Sequence, residues 1–185
     1  MMDDATFHLL AAKDAIRDQI YTYCRAIDRM DRELVDTVWH PDGTIDFSDG
    51  MVAADYPLGP PPVPFAAHFD FVWPFRAGFL THSHQATNIL ITVQRDRAGS
   101  ETTSITVLQK LIDGQIEQML IWGRWLDRWS CRDGRWAIDH RMGVMDCAQV
   151  STFAPGPIND PAAHLSRRDR SDPSYLFLDL TQQAG

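Results

Sequence analysis

The residues best suited to chemistry sit in one run, Thr81-His82-Ser83-His84-Gln85-Ala86-Thr87-Asn88-Ile89-Leu90-Ile91-Thr92-Val93. It starts polar, ends apolar and holds neither Gly nor Pro, and its β-branched residues and two-residue alternation predict a strand. Side chains two apart on a strand share a face, so His82 and His84 point the same way, and Asn88 joins them if no bulge intervenes. An imidazole held on a rigid strand can move protons near neutral pH. A carboxylate, Asp28, closes the first helical stretch, where the negative end of the helix dipole disfavours it. The bland reading of Asp28 is a solvated helix end, and that of His84 is a satisfied polar residue at a strand start.

The remaining elements must bring such groups together. Ile16, Ile20, Tyr23 and Ile27 recur at helical spacing and predict a helix from about Phe7 to Asp28, with Tyr23 mid-stripe. Asp31 is a plausible N-cap for a short helix to Trp39, with Leu34, Val35, Val38 and Trp39 inward. Pro41-Asp42-Gly43 should stop it and turn the chain, Thr44–Ser48 should be a short strand, and Asp49-Gly50 a further turn. The prolines between Pro57 and Pro64 predict a stiff extended connector, neither helix nor central strand. The aromatic stretch Phe65–Phe79 reads as a helix interrupted at Pro74, its rings serving as core or as pocket lining.

Four long segments follow: His82–Gln94, Thr102–Ile112, Ile116–Cys131 and Trp136–Gln149. Arg95–Gly99, Asp113-Gly114 and Asp133-Gly134 separate them, and Asp-Gly between extended runs is a strong hairpin signal. These predict an antiparallel meander. The third strand would span about 50 Å if straight, too long for a flat sheet, so the sheet must coil, with Gly123 a natural bend or bulge. Helices first and then one curled sheet predict an α+β cone around an apolar pocket. Residues 1–150 form this domain, and 151–185 an extension that packs on its own or a neighbouring subunit.

At 185 residues, 44% of them apolar, with six Trp and nine Phe, the chain can build one domain with an aromatic interior. A net charge of −8 argues against nucleic acid and anionic membrane surfaces. No apolar run is long enough to span a bilayer, the acidic start is unlike a secretory signal, and Cys24, Cys131 and Cys147 fit reduced thiols, so a cytoplasmic location is expected.

At this point the chain resembles a known family, the SnoaL-like branch of the nuclear transport factor 2-like (cystatin-like cone) superfamily. The resemblance rests on Tyr21-Thr22-Tyr23-Cys24-Arg25-Ala26-Ile27-Asp28, on Val38-Trp39-His40-Pro41-Asp42-Gly43, on His84-Gln85-Ala86-Thr87-Asn88 and on the run from Asp133 to Arg141. It covers about residues 7 to 149. It is strongest with the bile-acid 7α-dehydratase, dehydrochlorinase and scytalone dehydratase types. What it implies is a catalytic set of Asp28, His84, Tyr23 and Arg141: Asp28 orients His84, His84 removes a proton, and Tyr23 and Arg141 stabilise an oxyanion or the leaving hydroxyl. Trp39, Phe79 and Asn88 would then contact substrate. The implied activity is that of a cofactor-free lyase or isomerase, eliminating water or halide from a bulky apolar steroid, polyketide or alicyclic compound, in a homodimer or homotrimer.

One conflict stands within this reading. Two-residue alternation puts Trp136, Ile138, Met142 and Val144 on one face and Arg141, Gly143 and Met145 on the other, so Arg141 needs a bulge, near Gly143, to reach the pocket. A metal site at His82 and His84 is the rival. It lacks a nearby Glu and needs His40, His68 or His140 as a third ligand through tertiary folding, so no metal is expected. No phosphate-cradling Gly-rich loop occurs, and no cofactor is implied. The same fold also serves non-catalytic binding domains and the small subunits of ring-hydroxylating dioxygenases.

Overall fold

The computed structural model describes residues 3–49, 58, 60–157 and 163–179. The first helix, α1, runs Asp4–Asp28. It starts one turn before the expected Phe7 because the Asp3 carboxylate accepts the Thr6 N–H at 2.7 Å and caps it. Ile16, Ile20, Tyr23 and Ile27 are buried along one stripe. Its end is a Schellman turn: Met30 takes φ +52°, the Met30 N–H bonds the Ile27 carbonyl, and the Asp31 N–H bonds that of Ala26. Asp31 then caps the next helix, α2 (Arg32–Val38), through the Leu34 N–H. This tight junction fixes Asp28 in the last turn of α1, facing inward.

The chain continues through β1 (Trp39–Asp46), β2 (Val63–Pro64), α3 (Phe65–Ala77), β3 (Thr81–Gln94), β4 (Arg97–Ile112), β5 (Gln115–Arg132), β6 (Arg135–Phe153) and α4 (Ser174–Leu178). The six strands form one sheet in the order β2-β1-β6-β5-β4-β3. Strands β3 to β6 are the antiparallel meander. Asp113-Gly114 and Asp133-Gly134 have positive φ at both positions, the type I′ geometry that matches strand twist.

Four local expectations are revised. The first hairpin turns on Arg95-Asp96 alone, so β4 begins at Arg97, not Thr102. Pro41-Asp42-Gly43 does not precede the strand; β1 starts at Trp39 and absorbs the three residues as a wide irregularity between Trp39 and Thr44. That strand also pairs with β6, in parallel, a long-range contact no local pattern announces. Helix α3 passes through Pro74 unbroken. Val63 and Pro64 pair with β1 at the sheet edge, the position where proline does least harm. Gly50, Pro57 and Gly59, which fall in the expected turn and connector, lie outside the described residues.

Bulges curl the sheet. Trp122 pairs with Cys147 but Gly123 with Met145, leaving Asp146 extra on β6 beside Gly123, the bend the sequence marks. A Cβ on Gly123 would collide with the Val144 carbonyl, so only glycine allows this approach. A second extra residue, Asp139, lies between Ile138 and His140. A third irregularity lies in β3 between Ala86 and Ile89.

Helices α1 and α3 fill the concave side. Trp39 stacks on Phe65 at 5.1 Å, and Phe69 sits edge-on to Trp39, Tyr23 and His68. Each fully buried large apolar side chain here contributes about 1.5–3 kcal/mol relative to exposure. Residues 163–179 lie against α1, α2 and the end of α3: Tyr175 donates to Asp31 at 2.9 Å, Arg25 to Ser174 at 2.8 Å, and Arg168 to the carbonyls of Arg76 and Phe79. Among the described residues no helix is long and apolar enough to cross a membrane.

Candidate active site

Between the concave sheet face and α3 lies a cavity of about 260 Å³. Tyr23 of α1, His68, Val72 and Arg76 of α3, His82 and His84 of β3, and Trp125 of β5 contribute to its wall. The wall is mostly apolar, with few polar groups, the usual composition of a small-molecule site.

Asp28 and His84 meet at this wall. The His84 Nδ1–H donates to Asp28 Oδ1 at 2.7 Å, and the His84 backbone N–H donates to Oδ2 at 2.9 Å. Both carboxylate oxygens are thus used by one residue, which fixes the ring and its tautomer and leaves Nε2 with a free lone pair. Asp28 is 8% exposed and the His84 side chain 7%. Two accidents of chain geometry make the contact: α1 stops at Asp28 because Met30 takes the left-handed turn, and β3 begins with 82 and 84 inward.

His82 differs. Its Nε2 accepts from Arg76 Nη1 at 3.1 Å, so its Nδ1 carries the proton; that nitrogen lies 3.8 Å from Asp28 Oδ1. Burial, followed by the neighbouring His84 and Arg76, holds His82 neutral far below the ordinary imidazole range. His68 on α3 is pushed down to about 4 by burial and by Arg76.

Tyr23 is buried, its ring 6.4 Å from that of His84 and 5.1 Å from that of Trp125. Arg141 does turn inward, but the cause is the extra residue at Asp139, not a bulge near Gly143. Gly143 stays in register with Trp125, and the Phe47 ring occupies the space its Cβ would need. Arg141 does not reach the cavity wall. It is wholly buried behind Tyr23 and Trp125, its guanidinium 4.1 and 4.6 Å from their ring centres, and it forks onto the cross-strand partner Asp127 at 2.7 and 2.8 Å.

Of the expected substrate contacts, Phe79 lines the cavity. Trp39 does not; it is buried against Phe65 in the core. Asn88 does not either: the bulge after Ala86 carries it to the exposed face. Sequence reasoning missed Arg76, and weighed His68 only as a third metal ligand, not as part of the cavity wall. With Val72 they recur every four residues on α3, one helix face aimed at the cavity, a signal present in the sequence but masked by the density of aromatic residues around it.

Asp28, His82 and His84 are also three potential metal donors with ligand atoms within 4.8 Å of one another. None of His40, His68 or His140 joins them; the third member is Asp28. The donor chemistry does not favour an ion: Asp28 and His84 Nδ1 are bonded to each other, His82 Nδ1 is protonated by virtue of its bond from Arg76, and a guanidinium stands alongside.

The comparisons with known proteins agree on the fold. No curated protein sequence matches the chain. Among solved structures, the Kfla4162 protein from Kribbella flavida superposes with a TM-score of 0.65 at 17% identity, over 74% of this chain and 92% of its own. The hexachlorocyclohexane dehydrochlorinase LinA-type3 from Novosphingobium barchaimii gives 0.61 at 20% identity, over 80% and 97%. A protein of unknown function with a cystatin-like fold from Nostoc punctiforme gives 0.54 at 15%, over 72% and 90%. The family model for the SnoaL-like domain matches residues 8–142, from the second turn of α1 to just past Arg141 on β6, and the chain belongs to that family.

Proposed function

We propose that the protein is a cofactor-free lyase, or an isomerase using the same proton transfer, in which Asp28 and His84 remove a carbon-bound proton from a bulky apolar substrate. The observation that carries this reading is the double contact between Asp28 and His84 at the wall of an apolar cavity. It leaves Nε2 as the base. The C–H bond breaks, its electron pair forms the C=C bond, and the leaving group departs on the adjacent carbon. Asp28 stabilises the imidazolium that results, and the imidazolium returns its proton to a leaving hydroxyl as water, or to solvent when the leaving group is halide. Tyr23, a residue of the cavity wall, donates to the leaving oxygen or to a developing oxyanion in this reading. Arg141 is a positioning residue: it holds the Tyr23 and Trp125 rings, a cation–π contact of about 0.5–2 kcal/mol for each. The likeness to a dehydrochlorinase supports an elimination in this type of cone. A second copy of the chain on the outer sheet face completes the proposal, as a homodimer or homotrimer.

The test is a panel of hydroxylated and halogenated alicyclic compounds, read by mass spectrometry for loss of water or hydrogen halide. His84→Ala should lower turnover about 10²–10⁴-fold, the range for a positioned general base. Circular dichroism would verify that the fold is intact. Turnover retained by His84→Ala would end the assignment.

A further inference from the structure

Arg76 lines the cavity without a carboxylate bonded to it. Among the described residues no acid lies within ion-pair distance of it; its only side-chain partner is the neutral His82, and its Nε–H is buried without an acceptor. The contrast with Arg124 of the same wall is direct, since Asp146 binds it. Arg168 lies outside the cavity wall and is tied through Nη1 to the Arg76 and Phe79 carbonyls. Burial lowers the Arg76 guanidinium from its ordinary range, with Tyr23 and Asp28 pulling back the other way. Asp28 is the nearby negative charge, and both its oxygens are committed to His84. A guanidinium at the wall of an apolar cavity with no acid bonded to it, and with an Nε–H that lacks an acceptor, costs folding free energy that a bound anion would offset.

We infer that Arg76 is an anion-binding residue and that the natural ligand carries a carboxylate on an apolar body. One planar guanidinium fork matches a carboxylate, whereas a phosphate calls for more donors than this site offers. The apolar body fills the space bounded by Val72, Phe79 and Trp125. The His82 and His84 rings stand 4.6 Å apart, so a carboxylate on Arg76 is held beside the base and orients the C–H bond toward Nε2. This rests on the elimination reading only for that last step; the binding claim stands without turnover.

The probe is 2-naphthoate set against uncharged 2-naphthamide, with binding followed by calorimetry and by quenching of tryptophan fluorescence, to which Trp125 contributes. The native protein should bind the carboxylate at least about tenfold more tightly, the discrimination expected of one charge-assisted contact. Arg76→Gln should equalise the two ligands, and Arg76→Lys should restore part of the preference. Thermal melts of both variants would show that the fold persists. Equal binding by the native protein, no binding of the carboxylate, or a preference that survives Arg76→Gln overturns the inference. Loss of the preference in Arg76→Gln together with full turnover in His84→Ala would instead remove the elimination reading and keep this one.

Discussion

Two arginines flank Tyr23, and their surroundings could hardly differ more. Arg141 is wholly enclosed, forked onto Asp127 across the strand pair and stacked on Tyr23 and Trp125. Arg76 lines the cavity with a neutral imidazole as its partner. The first is charge-balanced inside the protein and serves as architecture. The second is left unbalanced at a surface meant for something else. Residue type alone does not separate them; the presence of an acid at the matching register position does.

The largest effect should come from breaking the balanced pair. Arg141→Met leaves Asp127 buried and unpaired, and should cost about 3–5 kcal/mol in chemical denaturation. Replacing both, as Arg141→Met with Asp127→Leu, should recover most of that loss, because no charge is stranded. If the double variant is no more stable than the single one, Arg141 acts through its ring contacts more than through its charge. Next comes Arg76→Gln, which should change stability by no more than about 1 kcal/mol, since it breaks no ion pair among the described residues. A loss as large as that of Arg141→Met would erase the distinction between the two arginines.

The smallest effect is in the pH dependence. His68 and His82 are both held below the ordinary imidazole value, by burial first and by Arg76 as a further cause. The unfolded chain therefore takes up protons near pH 6.5 that the folded protein refuses. Their contribution is complete above about 6.5 and declines as the pH falls below it, for His68 until about 4. Melting temperatures between pH 7 and 4 should follow that decline. Arg76→Gln should make it shallower, and the double variant at Arg141 and Asp127 should leave the slope unchanged.

Much of this was legible in the sequence, for local reasons. Asp113-Gly114 and Asp133-Gly134 declare their turns because few other residues accept two successive positive φ values. Gly123 announces its bend, and the positions of Asp28 and His84 follow from where a helix ends and a strand begins. What escaped depends on distant partners. A single extra residue at Asp139 rotates Arg141 inward, and another irregularity after Ala86 rotates Asn88 outward; period-two reasoning fails past any bulge. Trp39 was expected in the pocket and found its partner in Phe65 instead. Asp127, which defines Arg141, becomes visible only when β5 and β6 are laid in register.

The parallel pairing of β1 with β6 has a bearing on how the molecule comes into being. As the polypeptide emerges from the ribosome, its first third carries a strand whose main neighbour is still some hundred residues from being made, so the leading helices wait beside an unfinished platform. Assembly is gated by the last hairpin, and a nascent chain arrested before Arg135 should stay open to proteases along β1 however well its helices have formed.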